Sequence, residues 1–126
     1  MSLRTDLGRV RGLGAGRSGP HHWWQQRLTA IALVLLGLWL LASLAGGAAA
    51  THDSMVGWVR QPLVAVLLVL GVVTLFHHAR LGLQVVIEDY VHTAGNKVAA
   101  TIALTFFTLG GTVAGVFAIL KIAFGA

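Results

Sequence analysis

An all-α membrane protein with three transmembrane helices is the fold class this sequence predicts. Three observations point to it. Hydrophobic residues make up 56% of the 126-residue chain and charged residues only 10%, whereas a soluble domain carries about a quarter charged residues. Residues 28–50 and 98–120 contain no charged side chain, and each run has the ~20 residues needed to cross a bilayer core. A third apolar run fills residues 62–87, interrupted only by His77, His78 and Arg80.

Residues 1–20 read as a flexible basic tail. They are rich in Gly and Arg, with Arg4, Arg9, Arg11 and Arg17, and have too few apolar groups to build a core. Residues 21–126 then form the three-helix membrane domain. Trp23 and Trp24 stand just before the first span, where indoles favour the headgroup region. A cleaved leader is not expected, because the apolar run and the basic segment before it are both too long for one.

Gly46-Gly47 and the segment 51–61 read as the first loop. Pro62 opens the second span, where its missing N–H is one of the helix's unpaired donors in any case. Residues 92–97, with Gly95-Asn96, form the second loop, and the third span carries almost no signature of its own. Three spans put the N-terminus and the second loop on one side. That side gathers Arg4, Arg9, Arg11, Arg17, Arg27 and Lys97, against Arg60 and Lys121 on the other. Positive charge stays inside, so the N-terminus is expected in the cytoplasm and the C-terminus in the periplasm.

Composition also excludes functions. The chain has no cysteine, which removes disulfides, iron–sulfur ligation and thiolate zinc sites. The net charge of +5 does not indicate nucleic-acid binding, because the basic residues precede apolar spans rather than a soluble fold.

The second span displays the chemistry. At about 100° per residue, Gly71 and Asp89 fall within about 20° of His78, and Gly82 flanks the same stripe. Glycines beside a histidine let something broad and flat approach the helix; they equally serve close helix packing. His78 lies eleven residues before Asp89, roughly 16 Å deeper into the membrane. A neutral imidazole there can ligate haem iron, or can instead bond a carbonyl of another helix. His77 points about 100° away. Arg27 and His21, near the start of the first span, can meet an interfacial carboxylate; Arg27 can also snorkel to lipid phosphate. The Tyr90 phenol can donate to a carbonyl oxygen, and Asp89 can relay protons. That pair suits a quinone, which takes up two protons on reduction, but Tyr90 also fits the interfacial aromatic belt.

Two motifs, SGPHHWWQQRLTAIAL at residues 18–33 and HARLGLQVVIEDYVH at residues 78–92, resemble those of the D-type hydrophobic membrane anchor subunit of succinate dehydrogenase, the succinate:quinone oxidoreductase of respiratory complex II. The likeness spans the whole three-span layout and is closest to the bacterial type with a single haem b. It implies that His78 is an axial haem iron ligand, with the second ligand on a partner cytochrome b-type anchor. It implies that His21 and Arg27 lie near the haem propionates, and that Tyr90 and Asp89 belong to the ubiquinone site. It further implies iron–sulfur and flavoprotein subunits as partners, a place in the respiratory chain and tricarboxylic acid cycle, and a multi-pass location in the bacterial inner membrane. The chain itself would carry no succinate site. A small transporter or channel subunit, with His77, His78 and Arg80 along a polar pathway, is the reading from a different class. A haem-free structural anchor and a dihaem-type redox subunit are the remaining ones.

Overall fold

A computed structural model describes residues 5–10 and 18–125. Its helices run in the order α1 (Asp6–Val10), α2 (Ser18–Ala45), α3 (His52–Val59), α4 (Pro62–Tyr90) and α5 (Ala94–Ala123). Among the described residues there are no strands. Helices α2, α4 and α5 are each long and apolar enough to cross a membrane. The expected loose tail over residues 1–20 falls largely outside the described residues. Within them, residues 6–10 are helical and residues 18–20 already belong to α2.

The helices do not end where the apolar runs do. Helix α2 begins ten residues before the expected 28 and stops at Ala45, short of the expected 50; α4 continues to Tyr90, and α5 begins at Ala94, inside the expected second loop. Lack of charge marks where a chain can sit in hydrocarbon, but a helix continues into the headgroup layer on polar residues whose backbone bonds are already made. As a result Asp89 and Tyr90 lie in the last turn of a helix, and His21 and Arg27 lie within one.

The first loop is also more ordered than expected. Thr51 Oγ1 accepts from the Ser54 amide at 3.1 Å, and the Thr51 amide donates to Ser54 Oγ at 3.0 Å. This reciprocal cap satisfies two donors at the start of α3. Val59 at its far end is buried, and Trp58 stacks on Trp39 of α2.

Helix α4 is the centre of the domain. It packs on α2 along one side and on α5 along another, while α2 and α5 do not meet. Against α5 the approach is close because of Gly111 and Gly115. A Cβ on Gly111 would collide with the Phe76 ring, and one on Gly115 would lie 2.8 Å from Val72 Cγ1. Small residues four apart are the usual device for close helix contact in lipid. The third span therefore does carry a signature, Gly111-x-x-x-Gly115. Its threonines satisfy themselves: Thr101, Thr105, Thr108 and Thr112 each donate to the carbonyl four residues back, at 2.7 to 2.9 Å. The outer faces of α2 and α5 remain exposed and apolar, with residues such as Leu35, Leu38, Phe106 and Phe117. In a membrane those faces meet lipid or other helices.

Candidate functional site

His78 lies half-buried at the seam between α4 and α2. Its Nδ1 is 2.9 Å from Thr29 Oγ1 on α2. One turn further along, Gly82 faces Gln26 of α2, whose Nε2 is 3.6 Å from where a Cβ would stand. Gly71 lines an apolar groove of about 380 Å³ with Leu33, Gly37, Leu40 and Leu75; a Cβ there would meet nothing within 4 Å. The glycine stripe thus has two uses. Gly82 serves helix packing, and Gly71 leaves open space.

His77 takes another direction and is exposed. With Arg80, Gln84 and Glu88 it forms a polar stripe along α4, facing His21, His22 and Gln25 of α2 across a cleft of about 510 Å³. His78 does not line that cleft, so the three residues proposed for a transport pathway do not share one. Within the cleft Gln84 Nε2 donates to Glu88 Oε1 at 3.2 Å, and His21 Nε2 is 2.9 Å from Gln25 Nε2. The one ion pair among the described residues joins His52 and Asp53 in α3. Arg80 therefore pairs with no carboxylate among the described residues.

The two residues read as propionate partners do not share a cleft. Arg27 is exposed beside Trp23, with its guanidinium carbon 5.3 Å from the ring centroid. It lines a second cleft with Gln26, Gly82 and Val85, whereas His21 lines the first. Six helical positions turn a side chain by about 120°, which places the two on different faces of α2. His22, passed over in the sequence, lines both clefts.

Asp89 and Tyr90 are exposed in the last turn of α4, Tyr90 at 77%. Neither side chain has a hydrogen-bond or ion-pair partner among the described residues. Consecutive helical residues diverge by about 100°, so the two side chains leave the last turn of α4 in different directions. That end is pinned by Lys97, whose Nζ donates to the Glu88 carbonyl at 3.4 Å.

Residues 1–112 match the model of the succinate dehydrogenase/fumarate reductase transmembrane subunit. The chain belongs to that family. A succinate dehydrogenase hydrophobic membrane anchor subunit from Rickettsia bellii is 34% identical over 117 residues, covering 93% of this chain and 94% of its own length. One from Paracoccus denitrificans is 26% identical over all of this chain and 97% of its own. A membrane anchor subunit from Reclinomonas americana is 32% identical over 67% of this chain and 72% of its own. The chain is thus a multi-pass membrane anchor of succinate dehydrogenase, and such an anchor works in a complex with other subunits.

The residues present are of the kinds a b-type haem uses: a neutral imidazole as ligand, and a cation near water for its propionates. His78 offers the imidazole and Arg27, near the start of α2, the cation, while the apolar groove at Gly71 is a separate space that His78 does not line. Among the described residues no cluster of three or more His, Cys, Asp or Glu could hold a metal alone.

Proposed function

We propose that this anchor, together with a second cytochrome b-type anchor, holds a haem b through His78 and forms part of a ubiquinone reduction site with Tyr90 and Asp89. An iron–sulfur subunit and a flavoprotein subunit dock at the end of the helices that carries those two residues. That end faces the cytoplasm of a bacterium, and the C-terminus faces the periplasm. The observation that carries the reading is the Asp89-Tyr90 pair, exposed and unpartnered on the last turn of the same helix that holds His78 at the α2 seam.

When bound, the haem supplies a site that accepts and releases one electron. The chain's own residues hold and orient. His78 would hold the group, and Arg27 and His21 would offer charge and donors to its carboxylates from two sides of α2. The Tyr90 phenol donates a hydrogen bond to a quinone carbonyl oxygen, which fixes the ring and favours negative charge at that oxygen as electrons arrive. Asp89, open to water, passes a proton toward the site. Reduction to quinol takes two electrons and two protons, so both an oriented carbonyl and a route to water are required.

The test is Tyr90→Phe in the assembled complex. Succinate oxidation with an artificial acceptor continues at the wild-type rate, while quinone reduction falls about tenfold, the equivalent of about 1.4 kcal/mol. Equal loss of both activities, or no loss of either, counts against the quinone role.

A further inference from the structure

We propose that Thr29 is a positioning residue that fixes which nitrogen of His78 is free to ligate. The inference rests on the reading of His78 as a haem ligand and adds a second residue to it. A threonine hydroxyl has one hydrogen to give and lone pairs to receive. Thr29 Oγ1 lies 2.7 Å from the Gln25 carbonyl oxygen and 3.1 Å from that of Gln26. Both are pure acceptors, so the hydroxyl hydrogen goes to the backbone of α2, the usual arrangement for threonine inside a helix. The same Oγ1 is 2.9 Å from His78 Nδ1. With its hydrogen given to a backbone carbonyl, Oγ1 accepts from Nδ1, which in this proposal carries the proton.

A neutral imidazole has a single N–H. Once that proton is on Nδ1, the lone pair is on Nε2. The ring is tied to α2 through one nitrogen and offers the other, the relation that recurs between metal-bound histidines and the group behind them. An accepting oxygen behind the ring also raises the basicity of the ligating nitrogen and so favours oxidised iron. The histidine doublet is resolved on the same ground. His77 is exposed and has no hydrogen-bond partner among the described residues, so nothing selects its tautomer or holds its ring. Thr29 also makes the ligand's orientation depend on the packing of the first span against the second.

The assembled complex carrying Thr29→Val or Thr29→Ser tests this, read by the reduced-minus-oxidised spectrum and a redox titration of the haem. Valine keeps the shape and removes the oxygen; serine keeps the oxygen and removes the methyl. Thr29→Ser should match wild type in spectrum and midpoint potential. Thr29→Val should either keep a b-type spectrum with a raised midpoint potential or lose haem that Thr29→Ser retains. A Thr29→Val complex identical to wild type overturns the proposal, as does a Thr29→Ser complex that behaves like Thr29→Val. His78→Ala separates the two claims. If it leaves the b-type spectrum intact, the ligand assignment itself fails. If it abolishes the spectrum while Thr29→Val changes nothing, only the role of Thr29 fails.

Discussion

Trp58 of the loop helix α3 stacks on Trp39 of the first span, with ring centroids 5.6 Å apart and planes inclined by 27°. The contact closes the far end of the domain, where α3 also touches α4 and α5. Among the described aromatic pairs it is the one that joins the first connection to a span. Such a pair contributes about 0.5–1.5 kcal/mol beyond its area burial. A double-mutant cycle of Trp39→Leu and Trp58→Leu, followed by thermal unfolding in detergent, should give a coupling energy in that range. Strictly additive effects would mean that the stack contributes nothing to stability.

Gly110 and Gly111 are neighbours with opposite surroundings. A Cβ on Gly110 meets nothing within 4 Å, whereas one on Gly111 runs into the Phe76 ring. Gly110→Ala should therefore change the melting temperature little, in line with about ±0.5 kcal/mol for open surface positions. Gly111→Ala should lower it by the equivalent of about 1–3 kcal/mol, the usual cost of overpacking. A contribution from helix propensity is common to both variants and cancels in the comparison. Equal melting of the two proteins would show that α4 and α5 can separate at no cost.

The adjacent histidines give an equally direct comparison. His78 is bonded to Thr29 at the α2 seam, and His77 looks into the polar cleft. His78→Ala should remove the b-type spectrum from the complex. His77→Ala should leave its band positions in place, because its ring points about 100° away. Reversal of those two outcomes would transfer the ligand role to His77.

The spans and the His78 stripe could be read in the sequence because both depend on simple regularities: absence of charge over ~20 residues and a period of 3.6. The separation of His21 from Arg27 follows from the same period, since six positions are not one face; function, rather than angle, had grouped them. Thr29 could not be read, because its hydroxyl stands in an apolar run and its double role needs the α2–α4 distance. The Thr51 and Ser54 cap was a visible signal for α3, obscured by the glycines and polar residues around it. Gly111 and Gly115 were visible too, although their spacing takes on meaning only once Phe76 and Val72 are found opposite. Whatever another subunit contributes is written in another sequence and could not be read in this one.

Arg80 poses the last question. It lies within α4 and pairs with no carboxylate among the described residues, on the stripe with His77, Gln84 and Glu88. A guanidinium at the centre of a span costs about 2.5–3.5 kcal/mol on insertion scales, and such residues face protein or water rather than lipid. A subunit lying over the exposed polar stripe would supply the acceptor that Arg80 needs. Arg80→Glu should weaken co-purification of this chain with its partner anchor, and Arg80→Lys should weaken it less, because the charge is kept and the planar fork lost. Both chains should still reach the membrane, which a fractionation blot checks. Undiminished co-purification of the charge-reversed chain would place the partner on a different face of α4, the one carrying Leu83, Val86 and Tyr90.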